Sequence, residues 1–249
     1  MWALQRAQPT KRGLPMSKVA IVTGASRGLG LELARALARR GWALVIDARG
    51  ATPLDEARVE LAAATAVHAV AGDVRDASHL QRLVDGAREL GELALIINNA
   101  SLLGPSPQPA LADYPLDVMR EVYEANLFAP LRLVQLALPH LTPNARIINV
   151  TSDAGVEAYE GWGGYGSSKA ALEHLSAILA AEHPDVGVYW VDPGDMRTQM
   201  QQDAFPGEDI SDRAPPSESV PGFLSLIEGD FASGRYRAAD VAASQKAKS

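Results

Sequence analysis

Thr23-Gly-Ala-Ser-Arg-Gly-Leu-Gly30 follows a short β-branched run, Lys18 to Thr23, and precedes a helical pattern from Leu31 to Arg40. Glycine carries no Cβ, so the backbone of such a turn can come close to a pyrophosphate, while the first helical turn offers unpaired N–H groups and a favourable dipole. Trp42 to Ala48 reads as a second strand at the distance expected of a βαβ unit. Strand, glycine turn, helix and strand together predict a dinucleotide site.

Outward from that unit, strands and helices keep alternating. Pro53 to Ala64 reads as a helix, Ala66 to Val70 as a third strand, and Asp76 as the N-cap of a helix ending near Leu90. Further strands are read at Leu93 to Ile97, Arg146 to Val150 and Val186 to Val191, with a short seventh at Gly234 to Ala238. Helical periodicity covers Leu116 to Leu141, a second helix runs from near Tyr165 to Glu182, and Phe223 to Leu226 belongs to a short one. This alternation predicts an α/β fold, a Rossmann-like doubly wound three-layer sandwich around a central parallel sheet of about seven strands.

Residues 16–241 are expected to form a single domain, with a polar, proline-bearing segment over 195–221 that reads equally as a lid or as a mobile surface loop. Residues 1–15 and 242–249 read as disordered extensions. Met16 directly precedes the first strand, so the functional chain begins either there or with a real tail.

Composition narrows the chemistry. A formal charge of −7 argues against nucleic acid or an anionic membrane as partner, and the cytoplasm is the expected compartment. There is no cysteine, and the five histidines show no metal-ligand spacing, so no metal is expected. No run of eighteen apolar residues is present to span a bilayer.

The end of the second strand should read the adenosine ribose: an acid bonds a 2′-hydroxyl, and a cation accepts a 2′-phosphate. Asp47 is the acid available. Strand alternation, counted from Gly41, instead puts Ala48 toward the ribose with Arg49 next, and Arg27 in the glycine turn is a second cation. NADP(H) is therefore favoured and NAD(H) possible; the alternative leaves Arg49 in solvent and turns Asp47 inward.

Downstream, Tyr165 and Lys169 lie four residues apart on one helical face, where an ammonium would lower the phenol's pKa. Ser152, thirteen residues before the tyrosine at the end of a strand, offers a neighbouring hydroxyl. Pro130 has no N–H for the carbonyl four residues back, that of Asn126, which either holds a relay water leading toward Lys169 or marks an ordinary kink. Asp73, after the third strand, suits an adenine contact, whereas Asn98 and Asn99 are read mainly as braces of neighbouring backbone.

Taken in order, Thr23-Gly-x-x-x-Gly-x-Gly30, Asp73, Asn98-Asn-Ala100, Asn126, Ser152, Tyr165-x-x-x-Lys169 and Pro193-Gly194 resemble the short-chain dehydrogenase/reductase superfamily over about residues 17 to 200. The resemblance implies Tyr165 as general acid or base, Ser152 holding the substrate oxygen, Lys169 on the nicotinamide ribose, and Asn126 holding the relay water. It implies cofactor contacts from Gly24, Ser26, Arg27, Gly28, Leu29, Gly30, Arg49, Asp73, Val74, Asn99, Ala100, Tyr165, Lys169, Pro193, Gly194 and Thr198. The implied activity is hydride transfer between the nicotinamide and a small ketone, aldehyde or secondary alcohol, in a homodimer or homotetramer. A nucleotide-sensing regulator on the same fold is the alternative. Ser101, Leu102, Asp153, Tyr159, Trp162 and Met196 flank the catalytic positions as substrate candidates. Ser101 stands where the family has a glycine after Asn-Asn-Ala, Asp195 puts a carboxylate after Pro-Gly, and the Gly-Gly ending of many acyl-carrier reductases is absent.

Overall fold

Strand residues alternate between two helical layers, and the alternation can be followed residue by residue. The computed structural model describes residues 17–246, so the expected extension over 1–15 lies outside the described residues. Seven strands, β1 (Lys18–Val22), β2 (Ala43–Ala48), β3 (Val67–Ala71), β4 (Glu92–Asn98), β5 (Leu141–Val150), β6 (Gly187–Asp192) and β7 (Gly234–Arg237), form one sheet in the order β3-β2-β1-β4-β5-β6-β7. Every pairing is parallel. The fold is a Rossmann-like α/β sandwich with helices on both faces of the sheet.

Ala20 and Val22 of β1 and Leu44 and Ile46 of β2 point to one face. They pack there with α1 (Gly28–Ala38), α2 (Ala51–Ala62), α8 (Val220–Glu228) and α9 (Ala238–Lys246). Val19, Ile21 and Val45 point to the other face, against α3 (Ala77–Leu90), α5 (Ala129–Ala137) and Leu179 of α6 (Gly163–Glu182). Burial on both faces is why the strands read as continuous apolar runs. The sequence order reverses between β1 and β4, and the crevice of such a sheet opens at the carboxyl ends beside that switch point.

Several boundaries differ from expectation. α1 starts at Gly28 because the last glycines of the turn already belong to its first turn. The single helical pattern from Leu116 divides into α4 (Leu116–Tyr123), a π turn over Glu124–Phe128 and α5, after which Leu141 opens β5 opposite Leu93. The expected disordered tail from 242 is corrected in part: residues 242–246 are helical, because Ala238 and Val241 of α9 bury against α8. Asp76 caps α3, accepting from Ser78 N. No described helix is long and apolar enough to cross a membrane.

Candidate active site

The glycine turn is braced from below. Asp47 is buried (1% exposed); its Oδ1 accepts the Gly24 N–H at 2.7 Å and its Oδ2 lies 2.8 Å from His79 Nε2. Alternation explains this, since Asp47 shares the Val45 face and so meets α3. Asn99 Nδ2 donates to Thr23 O at 2.8 Å and to Gly24 O at 3.2 Å, while Thr23 Oγ1 accepts the N–H groups of Asn99 and Ala100 at 3.0 Å. Asn98 donates to Asn149 Oδ1 at 2.8 Å, tying β4 to β5.

That cradle has no room for side chains. A Cβ on Gly30 would sit 2.4 Å from Gly24 O and 2.5 Å from Asn99 Nδ2, and Gly24 holds φ +67°. Above the turn, α1 has no side-chain cap and no acid in its first turn, leaving its N-terminal N–H groups available to an anion. Ser26 is half-buried, Leu29 buried and Arg27 exposed around it. The residues present fit a dinucleotide diphosphate.

At the end of β2, Ala48 packs against the α1 side and Arg49 is exposed. The Asp73 carboxylate is held by the Arg75 guanidinium at 2.8 and 3.0 Å, which keeps its pKa below the usual carboxylate value. Val74 and Ala100 line a small cavity with Thr23 and Pro130.

Across the sheet, a cleft of about 540 Å³ including its mouth is lined by Ser152, Asp153, Trp162, Tyr165, Pro193, Gly194, Asp195, Met196 and Thr198. Tyr165 is 7% exposed and Lys169 2% exposed. Lys169 Nζ lies 5.4 Å from the Tyr165 ring centroid and donates to Val150 O at 2.7 Å. Burial brings the Lys169 pKa down to about 8, with Glu173 acting in the opposite sense.

The sign at Tyr165 corrects the sequence expectation. Its phenol is pushed well above the ordinary value, first by burial, then by the carboxylates of Asp153 and Asp192, while the neighbouring hydroxyls of Ser101 and Ser152 offset this in part. A four-residue spacing conveys the neighbouring cation but not the desolvation, which here dominates.

Asn126 uses its whole side chain: Oδ1 accepts from Ser101 Oγ at 3.0 Å and Leu102 N at 2.8 Å, and Nδ2 donates to Leu102 O and Ser168 Oγ at 2.9 Å. It thereby joins the π turn to the loop after β4 and to α6, which carries Tyr165. Among the substrate candidates, Asp153, Trp162 and Met196 line the cleft. Ser101 is beside the Tyr165 hydroxyl, and Tyr159 donates to Asp153 Oδ2 at 3.0 Å without itself lining the cleft. Segment 195–221 folds back through a Met196↔Ala214 bridge and carries α7 (Gln199–Ala204); Met200, Gln201 and Ala204 complete one wall.

Sequence reading missed the layer behind Ser152, Tyr165 and Lys169. Glu173 Oε1 accepts from Thr151 Oγ1 at 2.8 Å and Arg235 Nε at 3.0 Å, and Arg235 Nη2 donates to Ser152 O at 3.2 Å. Glu173 lies four residues after Lys169 on one helical face, a signal available in sequence; Arg235 comes from β7 and gave none. Among the described residues, no group of three or more His, Asp or Glu is placed to hold a metal ion.

A family model described as short chain dehydrogenase matches residues 18–209. The Saccharomyces cerevisiae protein named benzil reductase ((S)-benzoin forming) is 34% identical over 198 residues, 76% of this chain and 75% of its own. A Pseudomonas syringae structure assigned to the short chain dehydrogenases superposes with TM-score 0.83 at 29% identity, covering 90% of this chain and 95% of that one. A Shigella flexneri structure in complex with NADP gives TM-score 0.81 at 27% identity, covering 92% and 99%.

Proposed function

The chain belongs to the short-chain dehydrogenase family of oxidoreductases, and from that premise we propose that it is an NADP(H)-dependent reductase of small ketones or aldehydes, with Tyr165 transferring the proton. The observation that carries this is the meeting of Ser152 and Tyr165 in one cleft at the carboxyl edge of the sheet, beside the glycine cradle, with Lys169 buried against the Tyr165 ring. When bound, the nicotinamide supplies or accepts the hydride.

In this reading Gly24, Ser26, Arg27, Gly28, Leu29 and Gly30 hold the diphosphate, Asp73 and Val74 the adenine, and Asn99 and Ala100 the neighbouring ribose wall. Lys169 and Tyr165 hold the nicotinamide ribose, and Pro193, Gly194 and Thr198 meet the nicotinamide end. NADP(H) is preferred because the Asp47 carboxylate is occupied by Gly24 N and His79, which leaves Ala48 and the exposed Arg49 to meet a 2′-phosphate. Ser152 and the Tyr165 hydroxyl receive the substrate oxygen. The Tyr165 hydroxyl donates its proton to that oxygen and recovers it by way of Lys169 and the main-chain carbonyl of Asn126 in the π turn.

The cleft carries an aromatic and apolar flank together with the carboxylates of Asp153 and Asp195. Trp162 stands edge-on to Tyr159 and Tyr165 at 6.3 and 5.8 Å between centroids, with Phe205 at 6.0 Å, and Leu103, Met196 and Met200 face the same space. An aryl ketone suits such a wall, in keeping with the name of the yeast relative. Leu116, Phe128 and Ile178, exposed along α4, the π turn and α6, support a homodimer or homotetramer assembled through that layer.

The test is Tyr165→Phe. Turnover of an aryl ketone with NADPH should fall about 100- to 10,000-fold while NADPH affinity stays within a few-fold, because the hydroxyl acts chiefly in the transition state. Unchanged turnover would overturn the assignment.

A further inference from the structure

Asp153 follows Ser152 directly and lines the same cleft. We propose, resting on Tyr165 as the proton-transfer group, that Asp153 is a positioning residue that biases the site toward carbonyl reduction by accepting the Ser152 hydroxyl's hydrogen bond in the free site and holding an unpaired negative charge beside the phenol.

Ser152 Oγ lies 2.8 Å from Asp153 Oδ1. An ionised carboxylate only accepts, so the serine must donate. In the free site Ser152 Oγ also accepts from Ala154 N at 3.2 Å, so it turns a lone pair toward the neighbouring Tyr165 hydroxyl, and its proton passes from Asp153 to the substrate oxygen's hydrogen bond when substrate enters. A phenol facing a lone pair is favoured in its protonated form.

The carboxylate itself is held firmly but without a countercharge. Oδ1 accepts from Ala154 N at 2.8 Å and Oδ2 from the Tyr159 hydroxyl at 3.0 Å. Among the described residues, no basic side chain lies within ion-pair distance of Asp153. Asp192, the other acid acting on Tyr165, differs: Arg235 and Arg237 approach it at 3.6 and 3.8 Å, and Gly194 N donates to it at 2.9 Å. The remaining charges around the phenol come from other elements. Lys169 on α6 donates to Val150 O and has Glu173 behind it, with Arg235 of β7 on Glu173; Glu157 and Asp195 act on Tyr159 at the rim. Asp153 is thus a carboxylate hydrogen-bonded to Ser152 at the cleft that, unlike Asp192, has no basic side chain paired to it among the described residues.

Direction follows from protonation state. In reduction the proton leaves the Tyr165 hydroxyl for the substrate oxygen as the carbonyl carbon accepts the hydride of a reduced nicotinamide, giving alcohol and phenolate. Oxidation needs the phenolate at the outset, and a carboxylate beside it opposes that form. The overall equilibrium is untouched. What Asp153 moves is the pH at which each direction finds Tyr165 in the form it needs.

Initial rates of aryl ketone reduction with NADPH, and of the matching alcohol's oxidation with NADP⁺, test this across pH for the full chain, Asp153→Asn and Asp153→Ala. In both variants the rising oxidative limb and the falling reductive limb of kcat should move to lower pH by about one unit, and the oxidative kcat near neutrality should rise by up to about tenfold relative to the reductive one. Asparagine keeps a partner for Ser152 without the charge, so it should retain more reductive kcat than alanine; alanine preserves the test should asparagine fail to fold. Limbs that stay in place while both rates fall together would reduce Asp153 to a structural part and overturn the proposal. Full activity in Tyr165→Phe would instead remove the reading on which it rests.

Discussion

The two sides of the site, the glycine cradle and the Tyr165 cleft, are built in opposite ways. On the glycine side, buried polar groups serve the backbone: Asp47, Thr23 and Asn99 spend their hydrogen bonds holding the turn, and a Cβ on Gly30 has no space. On the Tyr165 side, loops after β4, β5 and β6 and the folded-back segment around α7 contribute side chains of mixed chemistry, with Asp153 and Asp195 exposed and Trp162 at the centre of an aromatic cluster. One wall defines a shape through main chain; the other defines a reaction through side-chain charge and packing. Substitutions on the first should show mainly in folding and cofactor affinity, those on the second in turnover.

Lys169→Met gives the largest separation. Turnover should fall by about 100-fold or more, since the proposed mechanism uses the residue for both ribose and proton route. The same change should raise the stability of the free protein near neutral pH by about 1–3 kcal/mol, because burying the ammonium is costly. The sign follows from protons bound. The folded-state pKa is about 8, below the ordinary lysine value, so the unfolded chain holds this proton over the window above pH 8 where the folded one does not. Wild-type stability therefore recovers as pH rises through that window, and the variant's advantage shrinks. Urea titrations at several pH values, with turnover measured in parallel, read both effects.

Asp47→Ala tests the opposite wall. It leaves the Gly24 N–H and buried His79 without their partner and should cost about 1–3 kcal/mol in thermal unfolding, while Asp153→Ala, at an exposed carboxylate, should cost less than about 1 kcal/mol. Equal losses would erase the contrast between the walls. Next in size, Arg49→Ala should weaken NADPH about tenfold and leave NADH unchanged, as titration of intrinsic fluorescence would show. Smallest, Trp162→Ala should raise KM for an aryl ketone a few-fold and leave NADPH affinity in place, which steady-state kinetics at fixed NADPH would register.

What was readable from sequence divides along the same line. The turn over Thr23–Gly30, the alternation in β1 and β2, and the Tyr165–Lys169 spacing are local patterns with fixed periods, so they predicted the fold and the approach of Lys169 to the ring of Tyr165, which lines the cleft with Ser152. Strand parity also foresaw that Asp47 and Ala48 part company at the end of β2. Its partner on α3 was hidden, because the contact with His79 joins residues 32 apart. The Glu173–Arg235 pair spans 62 residues and depends on β7 lying beside β6. The sign of the shift at Tyr165 was misread for a related reason, since burial is a sum over many neighbours that no spacing records. Tyr159 was adjacent in sequence to the cleft residues, yet its hydroxyl braces Asp153 instead of lining the cleft.

The central claim is that this cleft reduces carbonyls with NADPH, and cofactor oxidation by the purified full chain, followed with NADPH and with NADH across a panel of aryl and alkyl ketones and aldehydes, tests it most directly. The account predicts turnover of at least one aryl ketone with NADPH, at least about tenfold above NADH. Tight NADPH binding with no oxidation by any member of the panel would contradict it.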